Sequence, residues 1–531
     1  MTTLESMSLA GGPPKSLKNG QKLSVFLGLL SFCILLLATF GFDFPNQGFW
    51  LATSLTGILV GVIGFSWASY KGEPMGIKNH GVQFKSISGR GLWAWALGIV
   101  LTVFYIVLYF YPEYLGLVND GPNRGLISLF DPLSRALSGN PASQWFVYGT
   151  LYTLAILAFG IKFLWKYRHN RYQRLRTLSV MFFQTAFAFI IPEIMARLNG
   201  DLPYYDLKNI WPLNYYNFER YRVNAFIDSG DIGLGMLIFG VLSILVITPL
   251  LTYFYGKRWY CSWVCGCGGL AETAGDSFRQ LSDKSTFAWK VERWVVHSVL
   301  VFVVLMTTAV IYSYLGSDNS KYWLSKSEFL TGVGVLLTAI FNWVMVFRRK
   351  ALKKDAIYGA AGYMIIILGL LAIHGFSDAK HIFIFSSESL RKTYSFLIGS
   401  IFSGVIGTGF YPIFGNRVWC RFGCPMAAIL GLQQRLFSRF RITTNGGQCI
   451  SCGNCSTYCE MGIDVRAYAQ KGANIVRASC VGCGICSAVC PRGVLKLENG
   501  PLKGRINPRE VLLGNDVNLM ELANQNSDTA Y

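Results

Sequence analysis

The chain has 531 residues and a formal net charge of +20, yet only 14% of its residues are charged. Mean hydropathy is +0.38, which excludes an ordinary soluble enzyme and argues for repeated membrane crossing. No C-x-x-C-H run is present for covalent haem, and no Walker, dinucleotide-binding or hydrolytic motif falls in a fitting context.

Residues 1–21, rich in Gly, Pro and Lys, read as a disordered tail. Ten apolar runs of spanning length follow, near 23–41, 49–68, 92–111, 143–165, 177–196, 233–255, 294–315, 329–347, 356–377 and 393–414. The first reads as an anchor: about twenty polar residues precede it and no small-residue cleavage site follows. Ten crossings return the chain to its starting side. Loops 1–22, 69–91, 166–176, 256–293 and 348–355 hold 23 Lys and Arg. The alternate loops 112–142, 197–232, 316–328 and 378–392 hold 11. The excess marks the first set, and both termini, as cytoplasmic. The charge is therefore topological, and the partner it implies is the lipid bilayer, not nucleic acid.

Region 22–176 is expected to form an N-terminal four-helix membrane region. Region 177–424 is expected to form a membrane core with a Cys-x3-Cys motif at two cytoplasmic helix ends. After the sixth helix the chain reads Arg258-Trp-Tyr-Cys261-Ser-Trp-Val-Cys265-Gly266-Cys267, and after the tenth Arg417-Val-Trp-Cys420-Arg-Phe-Gly-Cys424-Pro425. The recurrence suggests a weak internal repeat. Cysteines at i and i+4 share a helix face, so each pair can aim two sulfurs at one target. Four thiolates suit a shared iron or a small iron–sulfur centre. The plainer reading is a docking element or a reversible dithiol. Cys267 reads as a turn residue or spare ligand, and Cys33 as a small core residue.

Segment 425–444, with Arg435, Arg439 and Arg441 among Leu and Phe, is expected to lie as an amphipathic helix at the membrane interface. Segment 445–500 carries two C-x2-C-x2-C-x3-C runs, the spacing that wraps [4Fe–4S] clusters in bacterial ferredoxins. The fourth cysteine of each run serves the other cluster. One cluster is therefore assigned to Cys449, Cys452, Cys455 and Cys490, the second to Cys480, Cys483, Cys486 and Cys459. Zinc would use isolated C-x2–4-C pairs, not a run of four, twice. Residues 501–531 read as a polar tail. The fold class is an α-helical polytopic membrane protein with a C-terminal cytoplasmic two-[4Fe–4S] ferredoxin domain (α+β).

A quinol site needs an apolar slot with a few polar groups. Glu193, after Ile191 and Pro192, is the first candidate, though it can also pair with Arg197 one turn on. His374, with His381, is the second. The aromatic loop 200–222 reads first as an interfacial belt. His297 and His374 sit about 15–20 Å apart in depth, too far to ligate one haem.

The segments "RWYCSWVCG" and "RVWCRFGCPM", ahead of a two-cluster ferredoxin module, resemble membrane ferredoxins of the NapH/NosR type. They are similar in part to CcoG, an oxidase assembly protein. The likeness covers roughly 177–500. It implies a bacterial inner-membrane iron–sulfur electron-transfer protein linking the quinol pool, or another redox subunit, to a respiratory reductase. Such a chain is a quinol-dehydrogenase-like subunit and not a stand-alone enzyme. The alternative is a maturation factor that reduces or handles metal. The chain departs from the pattern at Gly266 and Glu460, where the family has proline. One difficulty stands: the hydrocarbon core is about 30 Å thick, too wide for one hop from cytoplasmic clusters to the far side.

Overall fold

The computed structural model describes residues 17–71, 85–315, 322–376, 386–445 and 448–499, with two short strands at 512–513 and 517–518. Among the described residues, nine helices are long and apolar enough to cross a membrane. They are Asn19–Thr39, Gln47–Tyr70, Leu92–Phe110, Gln144–Lys166, Arg171–Leu198, Asp231–Tyr255, Thr286–Tyr314, Lys326–Ala351 and Lys354–Ile373. Leu, Val, Ile and Phe cover their outer faces, where lipid replaces water as the apolar solvent. Cys33, expected in the core, faces outward.

The tenth expected span, 393–414, is the correction. Helix runs over 387–406, breaks at 407–410 and resumes for one turn at Tyr411–Phe414. Its first turns carry Glu388, Arg391 and Lys392, so its uninterrupted apolar stretch is short. Arg417, just beyond it, donates to the carbonyl of Cys261. The two Cys-x3-Cys segments therefore lie together.

Two segments between crossings do not stay outside the bundle. The first follows helix Asp231–Tyr255 and turns back inward through Arg258–Cys261 and Gly266–Thr273. That second helix runs antiparallel to Arg171–Leu198. A Cβ on Gly266 would meet Gln184, one on Gly269 would meet Val180, and Glu272 pairs with Arg176. Gln184 lies midway along its 28-residue span and eight residues beyond Arg176, about 12 Å deeper at helical rise. The cysteine segment is thus held at mid-bundle depth, not at a cytoplasmic helix end.

The second segment is the aromatic loop 200–222. Instead of lying as a belt, it dips from the opposite face to the same depth. Tyr204 donates to the Ala188 carbonyl and Trp211 to Thr307. Buried Lys208 offers its carbonyl to the Tyr260 hydroxyl at 3.0 Å. The charges 206 and 208 enter as a compensated pair, Asp206 to Lys208 at 3.1 Å, which lowers the cost of burial.

The ferredoxin domain closes one end. Strands β1 (Phe440–Thr444) and β2 (Leu495–Asn499) pair antiparallel. The helix Pro425–Phe437 was expected on the lipid surface. It is wedged between bundle and domain instead, with Met426 and Leu430 fully buried and Gln434 donating to the carbonyls of Arg477 and Cys480.

Candidate metal centres

The two ferredoxin runs fold alike. Ser451 and Gly482 share positive φ (57° and 66°), as do Gly453 and Gly484 (78° and 77°) and Gly462 and Gly493 (64° and 60°). Each run needs left-handed residues at the same offsets to curl three sulfurs around one space, which glycine allows without a steric cost. Ser451 adopts that conformation without being glycine. Cys449, Cys452, Cys455 and Cys490 line one cavity of about 360 Å³, the quartet assigned from spacing. Its sulfurs are brought together by the crossover of Cys490 from the second run. Burial pushes the free thiols of Cys455 and Cys480 up to about 12 and about 11. Iron binding would have to displace those protons.

The two runs differ in their surroundings. The loop carrying Cys449 and Cys452 is open, with Cys452 exposed. The loop carrying Cys480 and Cys483 is gripped by the bundle through its carbonyls. Tyr172 donates to Gly482 at 2.7 Å, Gln173 to Cys483 at 2.8 Å, Ser262 to Val481 at 2.8 Å and Gln434 to Cys480 at 2.9 Å. Arg258 lies over the Phe440 ring, 4.6 Å from its centroid.

Glu460 explains its own departure from proline. It is fully buried and accepts from Arg279 at 2.6 Å, Arg417 at 3.0 Å and Asn416 at 3.2 Å. Arg417 also reaches Glu272 at 2.6 Å, Arg279 reaches Asp276 at 2.7 Å, and Lys166 reaches Asp276 at 2.7 Å. Burial alone would raise the Asp276 carboxyl, but Lys166 and Arg279 outweigh it and hold it well below the usual range. Glu272, Glu460 and the Cys483 sulfur lie within 4.8 Å of one another, so the network abuts the membrane-facing quartet. Carboxylates saturated by arginine are poor metal ligands; this group is an ion network beside a thiolate.

The Cys-x3-Cys pairs are not single helical turns. Cys261 ends one short helix and Cys265 caps the next; Cys420 lies in a π-helical turn and Cys424 caps Pro425–Phe437. Both close with the same bond, Cys265 N–H to the Tyr260 carbonyl at 2.8 Å and Cys424 N–H to the Trp419 carbonyl at 2.9 Å. Two helix N-termini thus point at the cysteines, and the Ala427 N–H meets the Cys424 sulfur at 3.4 Å. Both ends favour a thiolate. Arg417 stands 3.5 Å from the Cys420 sulfur, and the Lys208 ammonium lies beside Gly266. All four cysteines belong to one buried cluster that also contains Ile210, Cys455, Cys480 and Cys486.

Glu193 is not brought to these centres. Glu193 is half-buried near the far end of its span, and Arg197 bonds the Ala136 carbonyl instead of pairing with it. The His374 side chain and His381 lie outside the described residues. The sequence reading missed Asp206, Lys208, Arg279 and Arg417 as neighbours of the cysteines. The available signal was charge placed between apolar runs.

Segment 448–495 matches a family described as a 4Fe-4S dicluster domain. Segments 237–285 and 396–443 both match one described as a 4Fe-4S binding domain, so the internal repeat is real and each copy holds one Cys-x3-Cys pair. The chain therefore carries 4Fe–4S ferredoxin-type segments. A relative in Escherichia coli (strain K12), named "Putative electron transport protein YccM", is 24% identical over 226 residues, covering 42% of this chain and 46% of the relative. The match thus spans about half the relative's length. No solved structure matches the chain.

Proposed function

We propose that the chain carries electrons across much of the membrane thickness, between a lipid-soluble quinol pool or a membrane redox partner and two cytoplasmic [4Fe–4S] clusters. The cluster ligands would be Cys449, Cys452, Cys455 and Cys490, and Cys480, Cys483, Cys486 and Cys459. A third centre would be held by Cys261, Cys265, Cys420 and Cys424. The observation that carries this reading is the depth of the re-entrant cysteines. Arg417 of the ion network reaches the Cys420 sulfur and the Cys261 carbonyl, and just past Cys265 the segment packs at Gln184, about 12 Å along its span from Arg176. The cysteines thus extend inward from the ferredoxin domain and divide a gap too wide for one hop.

The donor set favours a cluster over a single ion. Thiolates on one tetrahedral ion with bonds of about 2.3 Å lie about 3.8 Å apart. Among the described residues no three of these cysteine sulfurs fall within 4.8 Å of one another, and the ferredoxin quartets share that wider spacing. Lys208, Arg417 and the two helix N-termini would offset the negative charge of a thiolate-bound centre. A bound centre would supply one-electron transfer; the chain's own contribution is position, charge and exclusion of water.

In this reading the cytoplasmic side is the Lys- and Arg-rich side, in a bacterial inner membrane. The open loop of Cys449 and Cys452 would face a soluble or peripheral redox partner. Iron, acid-labile sulfide and EPR spectra of anaerobically purified protein test the reading. Twelve irons and a third signal are expected, falling to eight in Cys261→Ser/Cys420→Ser, as four irons per cubane require. Eight irons in both proteins would leave the cysteines as a dithiol or docking device and favour the maturation-factor alternative.

A further inference from the structure

A second cavity of about 360 Å³ lies outward of the re-entrant cysteines, with Cys267 and Cys420 in its wall. Its aromatic side is built from two helices. Tyr105 and Tyr109 stack one turn apart on Leu92–Phe110, with centroids 6.0 Å apart. Tyr148 and Tyr152 stand one turn apart on Gln144–Lys166, tilted to each other with centroids at 5.3 Å. Tyr148 faces Tyr109 at 6.3 Å. The third side is the π-helical stretch Ser395–Ile406, contributing Ser403 and Gly404. Such wide turns recur at functional sites. A Cβ on Gly404 would stand 2.8 Å from the Tyr109 ring, so the glycine lets that ring close the pocket.

One polar group in the wall has no partner. Asn416 is 1% exposed. Its Nδ2 donates to the Ala271 carbonyl at 2.7 Å and to Glu460 at 3.2 Å, which leaves Oδ1 as an acceptor with nothing to accept. A buried carbonyl oxygen without a donor is costly, on the order of 1–3 kcal/mol. It is accounted for if a ligand supplies a hydroxyl. The enclosed space is too small for a haem or a dinucleotide. An aromatic wall, membrane depth, a lone hydroxyl acceptor and two adjacent cysteines select the same chemistry.

We propose that this cavity binds the ring of a lipid-soluble quinone or quinol, with Asn416 Oδ1 accepting from a ring hydroxyl and the tyrosines stacking on its faces. The proposal rests on the quinol reading above and gives it a site apart from Glu193. Half-buried Tyr109, Tyr148 and Tyr152 form the lipid-side entrance.

The test uses the full chain in nanodiscs free of native quinone, titrated anaerobically with the reduced, quinol form of a short-tailed benzoquinone carrying a photoreactive azide. Saturable labelling of the peptides that contain Tyr109 and Tyr148 is expected. Ser403→Phe and Thr408→Phe each fill the cavity from a different position and should weaken binding at least about tenfold with iron content unchanged. Saturable labelling that maps elsewhere, such as around Glu193, would overturn the pocket and leave the quinol reading standing. Labelling that both filling variants leave intact would also overturn the pocket. No saturable binding to the unaltered protein would overturn both.

Discussion

The two repeat copies, 237–285 and 396–443, make the same turn with different chemistry. In each, a cysteine closes a wide turn onto an aromatic residue's carbonyl and then caps a helix. In the second copy the residue after the cap is Pro425, which is pre-organised for a first helical position. In the first it is Gly266, and space is the reason. A side chain there would collide with Gln184 and with Lys208, which descends from the opposite face. The arginines three residues ahead of each turn have also diverged. Arg258 packs on Phe440 of the ferredoxin sheet, whereas Arg417 is sunk between Cys420, Glu272 and Glu460. Both copies bond the ferredoxin domain, and the first also receives the strap from the far side. A pseudo-symmetric scaffold thus acquires a direction.

The strongest way to break this comparison is Glu460→Ala. Each copy delivers an arginine to that carboxylate, Arg279 from the first and Arg417 from the second. Removal leaves two buried guanidinium groups short of a partner, and a loss of about 3–5 kcal/mol is expected. Thermal unfolding in detergent and early proteolytic release of the ferredoxin domain would report it. A variant as stable as the parent would mean the two copies are tied together elsewhere.

Exchanging the residues after the caps sharpens the contrast. Gly266→Pro should cost about 1–3 kcal/mol, the range for overpacking, and should displace Lys208. Pro425→Gly should cost only about 0.4–1 kcal/mol, through the freedom it gives the unfolded chain. Equal shifts in unfolding midpoint would remove the steric account of Gly266.

The smallest effect expected is with pH. The Asp276 carboxyl is depressed by Lys166 and Arg279, so its stabilisation is fully present above its unfolded pKa of about 3.9. It is lost only as pH falls through the lower folded value. Between about pH 5 and 8 its contribution is constant, so stability should not vary with pH there through this group. An Asp276→Asn variant should therefore show a flatter decline below about pH 4 than the parent, measured by unfolding midpoint.

Much of this was legible beforehand. The ferredoxin quartets follow from spacing alone, because thiolates on a tight loop have few ways to share a cubane. The spans follow from apolar runs, since lipid demands them whatever the tertiary contacts. What escaped was depth. Trp259, Tyr260 and Trp263 look like interfacial residues, and nothing local says that the chain turns inward after Gly256. Lys208 looked like one more loop cation, because a buried lysine is distinguishable only by the partner that meets it. The amphipathic stretch 425–444 misled for a related reason: its apolar face meets protein and not lipid. Glu460 was visible as an anomaly but not as the hub of a network whose members reach back in the sequence to Lys166.

The unequal settings of the two ferredoxin loops also bear on damage and repair. Cys452 and Ile450 stand in the open, while the loop of Cys480 and Cys483 is clasped by four side chains of the bundle. Oxidants and chelators reach the first long before the second. Failure of the chain is therefore staged: the exposed loop is lost while the rest stays assembled. That loop can be rebuilt without dismantling anything within the helix bundle.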